Sequence, residues 1–231
     1  ASYQATVCAS DTRGWNQPTS VGASDFVSQI TQWSLDNWGE DVLANRRGGA
    51  IYYWKTTVGT APRAVLVTNS PTTVNSIVVS PNDRHLIALG TNEFGTTASP
   101  SGTYNPMVVR WSDQEDYTNW TPAINSTSGE VIIADGTKIV GARRSRNAIN
   151  IWTDNSLWSM TFVGPPFTFQ FAQLGTNCGL IAQHAAVDYD GRTVWMGYDN
   201  FYTFDGQVRS LPSTVRRYIF DRLNMSQKDK I

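Results

Sequence analysis

Short stretches in which apolar and polar residues alternate recur along most of this chain, separated by clusters of Gly, Asn, Asp, Ser and Pro. Alternation with a period of two marks half-buried strands, because successive side chains of a strand point to opposite faces. Asp41 to Asn45 and Ala50 to Trp54 flank Arg46-Arg47-Gly48-Gly49, which predicts a hairpin with a glycine turn. Val74 to Val79 predicts a strand, Ser80-Pro81-Asn82-Asp83 a turn, and His85 to Leu89 the next strand. Met107 to Trp111 follows a loop-like stretch, Gly95 to Pro106. Lys138 to Ala142 and Ala148 to Thr153 flank a basic turn, and Ser156 to Val163 follows the turn pair Asp154-Asn155. Ala185 to Asp188 and Thr193 to Tyr198 flank Tyr189-Asp190-Gly191-Arg192, and Asn200 to Phe204 meets Gln207 to Ser210 at Asp205-Gly206.

These units repeat. Aromatic residues close or near strands at Trp54, Trp111, Trp158 and Phe204, at intervals of 57, 47 and 46 residues by subtraction. A unit of about 40–50 residues holding three or four short strands is the signature of a propeller blade. A sandwich, the rival all-β arrangement, would space its strands less regularly. The expected fold is all-β and β-propeller-like, built from about four repeated units of short antiparallel strands with a short C-terminal helix. Residues 1–32 are expected as an outer strand or connector, 33–211 as blades, and 212–231 as a C-terminal helix or linker. Two helices are expected. Ser24 to Thr31 is short. Pro212 to Leu223 carries Val215, Tyr218, Ile219 and Leu223 on one face, for packing on the sheet or on a neighbouring subunit.

Composition narrows the function classes. At 231 residues the chain can bury a sizeable core. Only 16% of residues are charged and the net charge is −1, so no global field draws the protein to DNA or to a membrane surface. Nine Trp serve small-sheet cores and subunit contacts alike. No segment approaches the roughly 18 apolar residues of a membrane span. The two cysteines, Cys8 and Cys178, make no disulfide framework. The start lacks signal-peptide character and an initiator Met, and the end shows no closing pattern, so the chain is expected to be a piece of a longer polypeptide.

Candidate chemistry is sparse. His85 and His184 sit in different units, and neither has a second His or Cys at ligand spacing, so neither is expected to hold a metal. Asp113, Glu115 and Asp116 offer clustered oxygens for calcium, but lack the sharp-turn Gly and the spacing of a calcium loop. Carboxylates capping turn NH groups are the commoner case. Glycoside hydrolysis needs a facing carboxylate pair. Asp83, Asp116, Asp135, Asp188 and Asp190 are candidates, all in turn contexts. No catalytic residue is assigned, and no cofactor is implied. The basic run Arg143-Arg144-Ser145-Arg146 reads as a phosphate-contacting turn, a subunit contact or a solvated hairpin tip. Trp15, Trp33, Trp38 and Trp120 sit in or beside turns. Trp15, Trp38 and Trp120 are the candidate interface anchors; stacking on sugars and capping of blade ends are the alternatives.

A set of motifs carries a family resemblance. It comprises Trp33 to Asp41, Arg110 to Pro122, Gly136 to Val140, Ile149 to Asp154, Val163 to Phe167, Gly175 to Leu180 and Trp195-Met196-Gly197. Together these resemble the tail nozzle or DNA-stabilisation proteins of double-stranded DNA bacteriophages and related tail structural proteins. The resemblance covers most of Trp33 to Lys230. It implies a propeller-bearing, non-enzymatic virion subunit that forms a symmetric ring below the adaptor and helps retain packaged DNA. The implied partners are copies of itself, other tail or adaptor proteins and, non-specifically, packaged double-stranded DNA. On that reading Arg143, Arg144 and Arg146 face the DNA lumen or a neighbouring subunit. A glycan-binding or glycan-hydrolysing propeller is the alternative.

Overall fold

The computed structural model describes residues 32–58 and 63–231. Trp15, the expected helix Ser24 to Thr31 and nearly all of segment 1–32 lie outside the described residues. The remainder is sixteen strands in four sheets of four, each sheet using consecutive strands. The first holds β1 (Trp33–Trp38), β2 (Asp41–Arg46), β3 (Ile51–Trp54) and β4 (Val65–Leu66). The second holds β5 (Val74–Val79), β6 (Leu86–Phe94), β7 (Ser101–Trp111) and β8 (Gly129–Ile132). The third holds β9 (Ile139–Arg144), β10 (Ile149–Thr153), β11 (Leu157–Gly164) and β12 (Thr168–Gly175). The fourth holds β13 (Ala186–Tyr189), β14 (Arg192–Met196), β15 (Phe201–Phe204) and β16 (Val208–Ser210).

Every sheet is an antiparallel meander in chain order, with no crossing connection. That is the construction of a propeller blade rather than of a Greek-key sandwich. The aromatic markers Trp54, Trp111, Trp158 and Phe204 all fall on the third strand of their blade. The hairpins follow local chemistry. Tyr189 pairs with Arg192 across Asp190-Gly191, and both turn residues have positive φ, 50° and 74°. This is the twist a two-residue hairpin requires and the reason Gly stands second. Arg46-Arg47-Gly48-Gly49 turns as expected, with Gly48 at φ 72°.

The apolar faces of consecutive blades stack on one another. Leu43 and Ile51 of the first blade meet Val74, Ile77, Val79 and Leu86 of the second. Ile87, Val109 and Trp111 of the second meet Ile139, Ile151 and Met160 of the third. Trp152 and Leu157 of the third meet Ala186 and Trp195 of the fourth. Each such side chain contributes about 1.5–3 kcal/mol on burial, so the blade interfaces form the core.

Polar side chains then tie the first strand of each blade to the next. Ser34 Oγ on β1 donates to the Ile77 carbonyl at 3.0 Å and accepts from its N–H at 3.2 Å. Asp36 Oδ2 accepts from the Val79 N–H at 2.7 Å. Asn75 on β5 donates to the Ile139 carbonyl at 3.0 Å, and Arg143 on β9 donates to the Ala186 carbonyl at 3.0 Å. Unpaired backbone groups at the edge of each first strand gain partners in this way.

The expected C-terminal helix is present but short. The helix α1 covers Arg216–Phe220 and buries no residue. Its N-cap, Val215, supplies no side-chain bond, and Asn224 instead caps a following 3-10 turn, Met225–Lys230. Phe220 packs on Phe201 of the fourth blade at 5.3 Å, while Val215 and Tyr218 stay exposed. The turn then reaches the first blade: Asp229 pairs with Arg47 at 3.3 Å, and its carbonyl accepts from Gln32 Nε2 at 2.5 Å. Lys228 meanwhile bonds the Tyr198 hydroxyl at 3.3 Å, so the segment touches both the first and the fourth blade. Among the described residues no helix is long and apolar enough to cross a membrane.

Candidate functional site

The strands β1, β5 and β9 and the start of β13, one from each blade, line a single axial cavity of about 420 Å³. Its wall includes Trp33, Leu35 and Asp36 from the first blade and Ser76 from the second. The third supplies Arg143 and Arg144, and the fourth Gln183, His184, Val187 and Asp188. Sequence order brings these together because the innermost strand of every blade runs along the same axis.

The basic run is split by the structure. Arg143 and Arg144 end β9 and line the cavity, whereas Arg146 lies in the exposed turn beyond it. The turn therefore does not hold all three arginines: carbonyls of the fourth blade bind Arg143, and a carboxylate of the first pairs with Arg144, whose side chain stays exposed. Arg143 donates to the carbonyls of Ala186 at 3.0 Å and Gln183 at 3.3 Å. Burial holds its guanidinium below the usual arginine range. Arg144 forms an ion pair with Asp36 that spans the first and third blades. His184 Nδ1 stands 3.2 Å from Arg143 Nη2, and burial together with this neighbour lowers its proton affinity.

The aromatic candidates also separate. Trp120 is 1% exposed within the core between the first two blades, and its Nε1 donates to the Tyr117 carbonyl at 2.8 Å. A side chain so covered offers no area to a partner, which makes it a cap at the blade end and not an interface anchor. Trp38 is half-buried, meeting Tyr117 edge-on at 5.4 Å. Trp33 is 50% exposed on the cavity wall.

The acidic turn is occupied with its own loop. Asp113 accepts from Gln114 N, Thr127 N, Thr127 Oγ1 and Asn119 Nδ2 at 2.6–3.0 Å. Burial raises its pKa, but these hydrogen bonds outweigh it and hold the carboxyl below the usual range. Asp116 accepts from Thr118 N and Oγ1. Both carboxylates cap turn NH groups. Among the described residues no group of three His, Cys, Asp or Glu side chains is arranged to hold a metal ion.

His85 is fully buried. Its Nδ1 lies 2.6 Å from Asp83 and its Nε2 lies 3.0 Å from the Thr127 hydroxyl. Such a satisfied buried histidine fixes the entry to β6. The other candidate carboxylates are dispersed. Asp135 accepts from Asn155 at 2.9 Å and from Gln173 at 2.8 Å, and Asp188 accepts from Thr193 at 2.9 Å. Only Asp188 of the five reaches the cavity, where Asp36 is the other carboxylate. Sequence reasoning passed over Asp36, Gln183 and Val187. The spacing of about one blade between Ser34 and Ile77, and between Arg143 and Ala186, was the available signal: both pairs are 43 residues apart.

No family profile matches the chain, and no curated protein matches it. Among solved structures it is similar to an AfRom2 CNH domain, at 11% identity and a TM-score of 0.47, over 79% of this chain and 55% of that one. It is also similar to the computationally designed Ika4 protein, at 13% identity and a TM-score of 0.42, over 79% of this chain and 92% of that one. The chain thus spans 55% of the length of the CNH-domain structure.

Proposed function

We propose that this chain is a non-enzymatic structural subunit of a bacteriophage tail, a propeller that assembles as a symmetric oligomer at the nozzle or hub on the DNA exit path. The observation that carries the reading is where the family-like motifs fall. Trp33 to Asp41 forms the β1–β2 hairpin, and Arg110 to Pro122 runs from β7 into its capping loop. Ile149 to Asp154 covers β10, Val163 to Phe167 turns β11 into β12, and Trp195-Met196-Gly197 ends β14. The motifs mark positions that build and join blades, such as the buried Trp120, Trp152 and Trp195. That is the distribution expected of a scaffold.

Contacts with neighbouring subunits come from apolar residues standing at blade tips. Phe167, Tyr189 and Ile124 are all exposed, in the β11–β12 turn, at the end of β13 and in the β7–β8 loop. A closed ring needs two different patches that meet head to tail. Contact with DNA falls to the exposed Arg146, since Arg143 and Arg144 serve the blades. Mass spectrometry of purified virions tests the proposal: the chain is expected there in several copies per particle. Its absence from virions while it accumulates in infected cells would overturn it.

A further inference from the structure

Along β1 exposed and half-buried side chains alternate. Ser34 and Asp36 turn toward β5 and bond its backbone, while the apolar Trp33 and Leu35 stay exposed on the wall of the axial cavity. Val187 of the fourth blade is exposed on the same wall. Large apolar side chains left open beside a polar wall mark a surface made for contact. Planar polar groups line the same cavity: the Asp36–Arg144 pair, Gln183, His184 and Asp188. Two carboxylates, Asp36 and Asp188, balance two guanidiniums, Arg143 and Arg144, so the wall carries no excess charge to attract an ion.

Two side-chain oxygens of residues in this wall are buried without a partner. Ser76 is 2% exposed and Gln183 6% exposed. Ser76 Oγ and Gln183 Oε1 have no hydrogen-bond partner among the described residues. Turning either oxygen toward the cavity breaks no hydrogen bond that it makes, and a ligand hydroxyl there would relieve the cost of leaving it unpaired. The volume of about 420 Å³ lies within the range of small-molecule sites.

We propose that the axial cavity binds a short neutral oligosaccharide, with the Trp33 indole under the face of one sugar ring and Asp188, Gln183 and His184 bonding its hydroxyls. A pyranose has an apolar C–H face that suits an exposed aromatic ring, and vicinal hydroxyls that suit carboxylate and amide groups. The balanced charge disfavours nucleic acid, which selects an excess of Lys and Arg. This site is independent of the tail reading, and either stands without the other.

The test is saturation-transfer NMR on the full chain with maltotriose, cellotriose and mannotriose as neutral probes. Sialyllactose and a short DNA duplex serve as charged probes. Transfer to at least one neutral trisaccharide is expected, weakened about tenfold or more by Trp33→Ala and retained by Trp33→Phe. Val187→Arg, at an exposed wall position, is expected to abolish it by filling the cavity while circular dichroism stays unchanged. Lack of transfer to all three neutral probes would overturn the proposal. So would binding unaffected by both Trp33→Ala and Val187→Arg, or a preference for sialyllactose or DNA.

Discussion

Arg143 Nε donates to the carbonyl of Ala186 at 3.0 Å and so binds the third blade to the fourth. A second bond, from Arg143 Nη2 to the Gln183 carbonyl at 3.3 Å, fixes the guanidinium plane against the same segment. The side chain that looked free for phosphate is a fastening between blades. Removing it leaves two carbonyls without their charged donor.

Arg143→Ala is therefore expected to destabilise the protein by about 2 kcal/mol, the scale of hydrogen bonds to a charged group. Arg146→Ala, in an exposed turn, should stay within about 0.5 kcal/mol of wild type. Urea denaturation of both variants reads the difference. Equal effects would remove the fastening role.

Trp120 and Trp33 differ in the same way. Trp120 is 1% exposed among Leu43, Val79 and Ala88, whereas Trp33 is 50% exposed. Trp120→Ala should cost about 3–5 kcal/mol, as large-to-small changes in packed cores do. Trp33→Ala should cost less than about 1 kcal/mol, since half its surface already meets solvent. Thermal unfolding midpoints measure both.

Acid should act through Asp113. Its folded pKa lies below the ordinary 3.8, because the Thr127, Gln114 and Asn119 bonds outweigh burial. A depressed carboxylate stabilises fully above the unfolded value and loses that contribution as pH falls through the folded one. Asp113→Asn should thus lower the unfolding midpoint at neutral pH, and the gap to wild type should close as pH drops below 3.8. A gap that stays constant down to about pH 2.5 would mean the charge contributes nothing.

Cys178 is buried, and burial pushes its thiol up to about 11. The thiolate is the reactive form, so the native protein should resist a thiol reagent near neutral pH. In a Cys8→Ser variant, the Cys178 thiol should titrate only after denaturant is added. Rapid labelling of the native variant would contradict the burial.

The third strand of each blade was legible because it carries a large aromatic residue at nearly regular intervals: Trp54, Trp111, Trp158 and Phe204. Central strands meet neighbours on both sides, and their alternation is strong. The outermost strands β4 and β8 were not legible. Val65, Leu66 and Ile132 on them are exposed, so no buried face imposes a pattern. Ser101 to Pro106 reads as loop but extends β7, since pairing with β6 overrides its Gly and Pro content. The strand β1 was hidden for a different reason. Its polar residues Ser34 and Asp36 face the next blade, and its apolar residues face the cavity. Arg143 and Arg144 read as a turn because charge in a strand has no local explanation; their partners lie on other blades.

The most direct test of the tail reading is to image intact virions by cryo-electron microscopy and place this chain in the density. The account predicts a ring of identical propellers around the DNA exit path, with Arg146 at the lumen or at a subunit contact. Copies found only at peripheral fibres, with none on the axis, would contradict it.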